Sequence, residues 1–323
     1  MHAPDFWQHR GPAALLLSPL GALYGLAGKA RRCLSSPEDP GVPVICVGNL
    51  TAGGAGKTPL VLSLARRLTG MSRTPHILSR GYGGRLKGPV QVEPDRHDAY
   101  DAGDEPLLLA RVAPTWIGAD RAASASRAVE AGADVLLMDD GFQNPGLKKT
   151  LSILAIDGGY GFGNGFVIPA GPLREPIDTG LSRADAAVVI GEDRTGTLSR
   201  IGNRVPTFGA RIVPTPAPEI AGQRVFAFAG IGRPAKFFES LAEIGCTLTG
   251  VRSFPDHHFY TPDEIMQLCD AAQAAESVPV TTEKDLVRFP AEAQDMVRAL
   301  DIALEWAETD AIDTLIGKAL DNG

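Results

Sequence analysis

The chain has 323 residues, 44% of them hydrophobic and 21% charged, an ordinary balance for one large globular α/β domain or two smaller ones. Its formal net charge of -7 argues against a nucleic-acid partner, because nucleic-acid binders carry a basic footprint. The four cysteines are scattered without a CxxC pair, which argues against a zinc site and indicates reduced thiols in a cytosolic protein.

Residues 1–32 contain the first predicted element, an apolar helix rich in small residues that ends in Lys29, Arg31 and Arg32. Most of the positive charge follows the apolar run, and no small-residue cleavage site ends it, which argues against a secretory signal peptide. Two interpretations remain open: a buried core helix, or a helix in the membrane interface with its cationic end near anionic headgroups. Because Pro19 interrupts the run, a membrane-spanning helix is not expected.

Strands and helices alternate over residues 33–200, which predicts an α/β core with a mostly parallel sheet and helices on both faces. The predicted elements of this core are strands 44–47, 76–78, 115–117, 134–138, 152–156 and 186–190, and helices 57–68, 104–110 and 119–131. Residues 201–222 are polar and proline-rich, and we predict an extended linker there. Residues 223–323 resume the alternation and predict a second, smaller α/β lobe, with strands 225–229, 247–251, 278–280 and 302–306, and helices 234–243, 262–275 and one from residue 311.

A glycine-rich segment, VGNLTAGGAGKTPL over residues 47–60, joins the first strand of the core to its first helix. Its last part matches a Walker A loop as Gly56-Lys57-Thr58, although Thr51 occupies the position of the first glycine. In such a loop, backbone N–H groups face phosphate oxygens, the lysine reaches the β- and γ-phosphates, and the threonine reaches Mg²⁺. The residues that we expect to bind a nucleotide triphosphate are Thr51, Ala52, Gly53, Gly54, Ala55, Gly56, Lys57 and Thr58.

Other interpretations of this loop fit less well. A plain left-handed glycine turn would not require the lysine and threonine, and neither register of the loop matches the GxGxxG dinucleotide fingerprint. The segment also resembles deviant P-loops that carry a signature lysine, but that position holds Ala52. The sequence therefore argues against an ATPase switch activated by a partner protein.

An acidic pair, Asp139-Asp140, follows the apolar strand 134–138. In a doubly wound sheet this carboxyl edge is where ligands bind, and the pair resembles a Walker B motif that holds Mg²⁺. Gln143, three residues further on, is a candidate ligand for the metal or its water. An ordinary strand-to-turn Asp-Asp-Gly remains the alternative.

Several other segments carry candidate side chains. Arg80, in LSRGYGG, either reaches a phosphate or lies in a flexible turn, and Asp104 at a helix start would by itself be a cap. The glycine- and proline-rich segment GNGFVIPAGPLREP holds Asn164, Arg174 and Glu175, and so rigid a loop suggests a shaped site.

In the second lobe, FPDHHFY places His257 and His258 next to each other. Adjacent histidines point in different directions, so one histidine paired to a carboxylate is the better interpretation. The segment TTEKDLVRF follows a strand and is either a contact to a nucleotide base or a polar helix cap.

Taken in order, NLTAGGAGKTP, SRGYGG, GDEP, DDGFQN, FGNG, PAGPLREP, FAGIGRP, FPDHH and TTEKD resemble the tetraacyldisaccharide 4'-kinase family of lipid A biosynthesis, from the N-terminal helix to about residue 289. The resemblance implies a P-loop kinase that transfers the γ-phosphate of ATP to the 4'-hydroxyl of a tetraacylated glucosamine disaccharide 1-phosphate, giving lipid IVA. It implies ATP and Mg²⁺ as cofactors, and the acylated disaccharide and the membrane surface as partners, with no obligate protein partner. It also implies a peripheral or monotopic protein at the cytoplasmic face of the bacterial inner membrane.

The resemblance further implies roles for single residues. Asp104 would be the catalytic base and His257 its partner, with Lys57 as the third catalytic residue. The residues that it places near the metal and nucleotide are Thr58, Asp139, Asp140, Gln143 and Glu175, and those expected to contact substrate or phosphate are Arg80, Asn164 and Arg174. The family commonly has histidine where this chain has Asn144, which removes the basis for an acid–base role there.

Two alternatives share the P-loop: a soluble kinase for a small metabolite, and a nucleotide-dependent ATPase switch recruited to a membrane. Because His257 and Asp104 lie in different predicted lobes, we also expect the lobes to close on substrate.

Overall fold

The computed structural model describes residues 4–321. Numbered along the chain, its strands are β1 (Val44–Gly48), β2 (Pro75–Ser79), β3 (Val90–Gln91), β4 (Thr115–Ile117), β5 (Val135–Asp139), β6 (Leu151–Asp157), β7 (Ala186–Ile190), β8 (Thr207–Pro214), β9 (Arg224–Ala229), β10 (Thr247–Ser253), β11 (Val278–Thr282), β12 (Arg298–Leu300) and β13 (Ile302–Trp306). Its α-helices are α1 (Pro12–Cys33), α2 (Lys57–Gly70), α3 (Ala99–Ala102), α4 (Asp104–Ala110), α5 (Arg121–Glu130), α6 (Ile177–Leu181), α7 (Thr197–Ile201), α8 (Pro234–Glu243), α9 (Pro262–Ala274), α10 (Glu283–Leu286) and α11 (Thr309–Asp321).

The larger sheet has nine strands in the order β13-β8-β7-β6-β1-β5-β2-β4-β3. From β8 to β4 all neighbouring strands are parallel, and only the two edge strands, β3 and β13, are antiparallel to their neighbours. The chain leaves β1 toward β2 on one side and later returns to β6 on the other side of β1. The loop after β1 therefore lies at the switch point of the sheet, where ligands of such folds bind.

Apolar layers cover both faces of this sheet. Strands β1, β5, β6 and β7 are buried along their whole length, as expected for parallel strands between two helical layers. On one face α2 buries Leu60, Leu64 and Leu68 at helical spacing, and on the other α5 packs closely through Ala125 and Ala128. The predicted α/β fold with a mostly parallel sheet and helices on both faces is confirmed.

The second lobe is smaller and has its own parallel sheet, in the strand order β10-β9-β11-β12. Helix α8 packs on one face through Phe237 and Leu241, and α9 packs on the other through Ile265 and Leu268. This lobe begins near the predicted boundary at residue 223, since β9 starts at Arg224.

The two lobes also share an apolar contact. Val287 and Phe259 of the smaller lobe pack with Ala99, Leu107 and Leu108 of the larger one. The last two residues belong to α4, the helix that begins at Asp104. The start of α4 therefore lies at the boundary between the lobes.

The domain boundaries differ from the prediction in two places. The extended linker predicted over residues 201–222 contains strand β8 (Thr207–Pro214), which pairs in parallel with β7 and so belongs to the larger sheet. Only one residue of β8 is buried, and the strand lacks the continuous apolar run that marks the buried strands. The predicted lobe over residues 223–323 is also too long, since β13 pairs with β8 and α11 packs on the larger sheet.

Helix α1 runs without interruption from Pro12 to Cys33 and includes Pro19, so the expectation that this proline breaks the run is wrong. The helix buries only its small residues: Gly21 approaches Val167 so closely that a Cβ would lie 2.6 Å from its carbonyl oxygen. The large apolar residues that it exposes are Leu15, Leu16, Leu20, Leu23, Tyr24 and Leu26. By length and composition, this helix could cross a membrane.

The packing of α11 on the larger sheet predicts that this helix contributes to the free energy of unfolding. Ile316 is fully buried in α11, so Ile316→Ala should lower the free energy of unfolding by about 2–5 kcal/mol, measured by urea denaturation. Met266→Ala is the control, because Met266 is 54% exposed on α9 and its loss should cost less than about 0.5 kcal/mol. Equal effects of the two substitutions would contradict the placement of α11 in the core.

Candidate active site

The glycine loop connects β1 to the N-terminus of α2 at the centre of the sheet edge. Gly56 is the residue before the helix and has φ 77°, a left-handed conformation, and a Cβ there would lie 2.7 Å from Ile190. Gly53 and Gly54 are exposed, and a Cβ on either would meet no atom within 4 Å. The loop therefore presents open backbone next to the positive end of α2, which is the form of an anion site.

The first half of the loop is fixed by other segments. The N–H of Ala52 donates to Pro172 at 2.7 Å, and the N–H of Arg174 donates to Leu50 at 2.7 Å. The amide of Asn49 donates to the carbonyl of Gly53 at 3.2 Å. Because the Ala52 N–H is occupied, the part of the loop that can receive a phosphate runs over residues 53–58.

The acidic pair at the end of β5 lies beside this loop. Asp140 Oδ1 is 3.7 Å from Nζ of Lys57 and accepts a hydrogen bond from Nη1 of Arg174 at 2.8 Å. Burial raises the pKa of Asp140, but the charges of Lys57 and Arg174 outweigh it, so the net pKa lies below the usual value. Lys57, Asp140 and Arg174 thus lie together beside the loop.

Asp139 is buried, and its Oδ1 has no hydrogen-bond partner among the described residues. Burial, together with the charges of Glu105 and Asp140, raises its pKa to about 7, against the opposite effect of Lys57 and Arg121. An orphaned carboxylate oxygen beside a second carboxylate fits Mg²⁺, which takes few protein oxygens and fills its shell with water and phosphate. Within residues 4–321, no group of three or more His, Cys, Asp or Glu side chains could hold a metal ion.

Gln143 and Glu175 do not extend this metal site. Gln143 donates to the carbonyl of Asn49 at 3.0 Å and to Glu175 at 3.1 Å. Glu175 is 1% exposed, and both of its oxygens accept hydrogen bonds from Arg183, at 2.6 and 2.7 Å, while Arg32 of α1 lies 3.4 Å away. In this arrangement the two residues tie α1 to the loop, which differs from their predicted role as metal ligands.

The three residues that we expected to contact substrate or phosphate lie in different surroundings. Arg174 lies at the site, as described above. Asn164 is buried, and its side chain is occupied: it donates to Phe6 and Ala170 at 3.0 Å and accepts from the N–H of Phe166. Asn164 therefore fixes the N-terminal segment and is not placed to contact substrate. Arg80 is exposed at the end of β2.

Asp104 begins α4 at the lobe boundary, and its Oδ2 lies 2.8 Å from Nδ1 of His257 in the second lobe. His257 has φ 60°, a strained left-handed conformation that turns its ring toward the first lobe. The neighbouring His258 contacts Glu264 and stacks on Phe254. His257 is thus the histidine that reaches Asp104 across the lobe boundary, while His258 pairs with Glu264 inside its own lobe.

Two cations around Asp104 were not identified from the sequence. Lys284 Nζ and Arg288 Nε lie 3.9 and 3.3 Å from its Oδ2, and both come from the segment TTEKDLVRF, for which we predicted a base contact or a cap. Burial raises the pKa of Asp104, but the hydrogen bond from His257 and the charges of Lys284 and Arg288 outweigh it and lower the pKa to about 2. The carboxylate therefore stays ionised at neutral pH.

The Asp104–His257 pair lies on the side of the first lobe that carries the acidic pair and the loop. Glu105, the neighbour of Asp104, is close enough to Asp139 to raise its pKa. On the other side of the loop, Arg233 of the second lobe donates to the carbonyl of Gly54 at 3.4 Å and pairs with Asp157 at the end of β6. The second lobe thus contacts the glycine loop through Arg233.

Comparison with known proteins agrees with this geometry. The family model of tetraacyldisaccharide-1-P 4'-kinase matches residues 13–321. The tetraacyldisaccharide 4'-kinases of Rhodospirillum centenum and Gluconacetobacter diazotrophicus are 51% and 52% identical to this chain, over 99% of it and over 97% and 99% of their own lengths.

A solved structure extends the likeness to three dimensions. LpxK from Aquifex aeolicus, crystallised in its "apo" form in complex with ATP, has a TM-score of 0.79 to this chain at 29% identity. The match covers 95% of this chain and 99% of that one. The family resemblance of the motifs is therefore confirmed, and the chain belongs to the tetraacyldisaccharide 4'-kinase family.

Proposed function

We propose that this chain binds ATP in the loop over residues 53–58 and transfers its γ-phosphate to the 4'-hydroxyl of a tetraacylated glucosamine disaccharide 1-phosphate, giving lipid IVA. The observation that carries this proposal is the 2.8 Å contact between Asp104 and His257, next to a glycine loop that ends in Lys57-Thr58. A hydroxyl-activating carboxylate beside a triphosphate site is what a phosphotransferase requires.

On the nucleotide side, the chain supplies positive charge and fixed donors. The backbone N–H groups of residues 53–58 and the end of α2 face the phosphates, and Lys57 and Arg174 lie close enough to Asp140 to neutralise charge there. Thr58, Asp139 and Asp140 would hold Mg²⁺, which supplies further charge neutralisation of the triphosphate. These contacts position the γ-phosphate, and positioning accounts for much of the catalysis of phosphoryl transfer.

On the acceptor side, Asp104 would accept the proton of the sugar hydroxyl as its oxygen attacks the phosphorus. A carboxylate with a pKa of about 2 is a weak base. The loose transition state of phosphoryl transfer asks little of the base, so orientation matters more than proton affinity. His257 contributes to that orientation, because its Nδ1 fixes Oδ2 of Asp104.

The exposed leucines of α1 support binding to a membrane surface. A contiguous apolar face of this size is rare on a soluble monomer, and basic residues occupy its last turn. We infer that α1 inserts this face into the headgroup boundary as an interfacial helix, on the cytoplasmic leaflet where ATP is present. Neither a soluble metabolite kinase nor a P-loop switch would account for the helix together with the dyad. Closure of the lobes on substrate stays a prediction.

The first functional prediction separates the two halves of the site. Asp104→Asn should lower kcat by about 10²–10⁴-fold and leave the KM for ATP unchanged, because the carboxylate acts on the acceptor. Lys57→Ala should lower kcat and also raise the KM for ATP. The measurement is transfer of radiolabelled phosphate from ATP to the acylated disaccharide in detergent, and unchanged turnover of Asp104→Asn would exclude Asp104 as the base.

The second functional prediction concerns α1. Leu16 and Leu23 are 81% and 62% exposed, so replacing both by Glu should leave the fold intact. Burying one leucine side chain contributes about 1.5–3 kcal/mol, so the double substitution should weaken binding to vesicles of mixed zwitterionic and anionic phospholipid by at least about 100-fold. Met266→Glu, at a 54% exposed apolar site on α9, is the control and should bind as the native chain does. Equal vesicle binding by all three proteins would remove the case for an interfacial helix.

A further inference from the structure

Arg288 is a buried cation at the lobe boundary whose side chain is 0% exposed. Its Nε lies 3.3 Å from Oδ2 of Asp104, the same oxygen that contacts His257. Its Nη1 donates to the carbonyl oxygens of Gly230 and His258, each at 3.0 Å. One guanidinium group therefore contacts the carboxylate of the first lobe and the backbone next to His257 in the second.

The turn that carries His257 depends on the same contacts. The N–H of His257 donates to the carbonyl of Gly230 at 3.1 Å, so this oxygen is shared between His257 and Arg288. A left-handed φ of 60° at a histidine is strained, and it persists only where the surroundings hold it. Arg288 thus supports the strained turn through Gly230 on one side and through His258 on the other.

Asp285 holds the guanidinium group of Arg288 in place. It is fully buried, and its Oδ1 lies 3.4 Å from Nη1 of Arg288. The same oxygen accepts from the hydroxyl of Tyr260 at 2.9 Å and from the N–H of Gly230 at 2.8 Å, while Oδ2 accepts from Thr282 at 2.5 Å. Both oxygens of Asp285 and Nη1 of Arg288 are thus held in a defined geometry, while Nη2 of Arg288 has no hydrogen-bond partner among the described residues, and removing either partner of such a buried ion pair costs stability.

We propose that Arg288, held by Asp285, is a positioning residue for phosphoryl transfer: it orients the carboxylate of Asp104 and the turn of His257 relative to each other. The proposal rests on the proposed function, because it takes Asp104 as the base. Nδ1 of His257 and the charge of Arg288 at Oδ2, with the N–H of Glu105 donating to Oδ1 at 2.9 Å, hold the carboxylate in one orientation, while Nε of Arg288 donates to the carbonyl of Lys284 at 3.1 Å.

A simpler role would be to hold the lobes together, and the chain offers a control for it. Arg111 at the end of α4 pairs with Glu283 of α10 at 2.9 Å. This ion pair also joins the two lobes, but it lies at the surface and does not contact Asp104. Arg111→Gln should therefore weaken the contact between the lobes without disturbing the carboxylate.

The test is a double-mutant cycle with kcat and the KM for ATP as readouts. Arg288→Lys should lower kcat by about 10²-fold, the effect of misplacing a reacting group by about 1 Å, with the KM for ATP within about twofold. In the Asp104→Asn chain, Arg288→Lys should lower the residual kcat by less than about twofold, because the group it positions is gone. Arg111→Gln should keep kcat within about twofold of the native value.

The possible results distinguish a failure of the proposed function from a failure of the positioning role of Arg288. No transfer to the acylated disaccharide by the native chain would overturn the proposed function itself, whereas an unchanged kcat in Asp104→Asn would exclude Asp104 as the base and with it the positioning role of Arg288. A reduced kcat in Asp104→Asn with a further full reduction by Arg288→Lys would overturn the positioning role alone, as would an equal loss of kcat in Arg111→Gln. If Arg288→Lys does not fold, Asp285→Asn carries the same test, because it keeps the side-chain volume. It should lower kcat without changing the KM for ATP. In the Asp104→Asn chain it should leave the residual kcat unchanged.

Discussion

The carboxylate of Asp104 is the contact on which the rest of the structure depends. Its Oδ2 lies within 4 Å of three cationic or hydrogen-bonding groups, and all of them, His257, Lys284 and Arg288, belong to the second lobe. Burying one carboxylate among these groups keeps it ionised and costs stability unless the lobes stay docked. The same group therefore joins the lobes and pairs with His257, so docking of the lobes and formation of the Asp104–His257 pair are one event.

The sheet explains why the other groups meet there. Parallel strands bring their carboxyl ends to one edge, so the loop after β1 lies beside Asp139 at the end of β5 and Asp157 at the end of β6. Helix α1 is anchored to the same region through Arg32 and Glu175, and Gln143 joins Glu175 to the backbone before the loop. The apolar helix and the nucleotide loop are thus parts of one structure.

Much of this could be predicted from the sequence, because local patterns carry it. Continuous apolar runs predicted the buried strands, and the spacing of Gly56, Lys57 and Thr58 predicted the loop. Three features that the sequence did not show depend on tertiary contacts. They are the pairing of strand β8, the return of β13 to the larger sheet, and the position of the cations Lys284 and Arg288 around Asp104. Asn164 and Glu175 have a polar pattern that suits a ligand site, and only their partners in space show them to be internal.

The most direct test of the account is a crystal structure with a non-hydrolysable ATP analogue and the acylated disaccharide bound together. The account predicts the triphosphate against residues 53–58 and the 4'-hydroxyl of the sugar about 2.6–3.2 Å from the carboxylate of Asp104, with its oxygen facing the γ-phosphorus. A triphosphate bound elsewhere, or a 4'-hydroxyl held by another residue and turned away from Asp104, would contradict it.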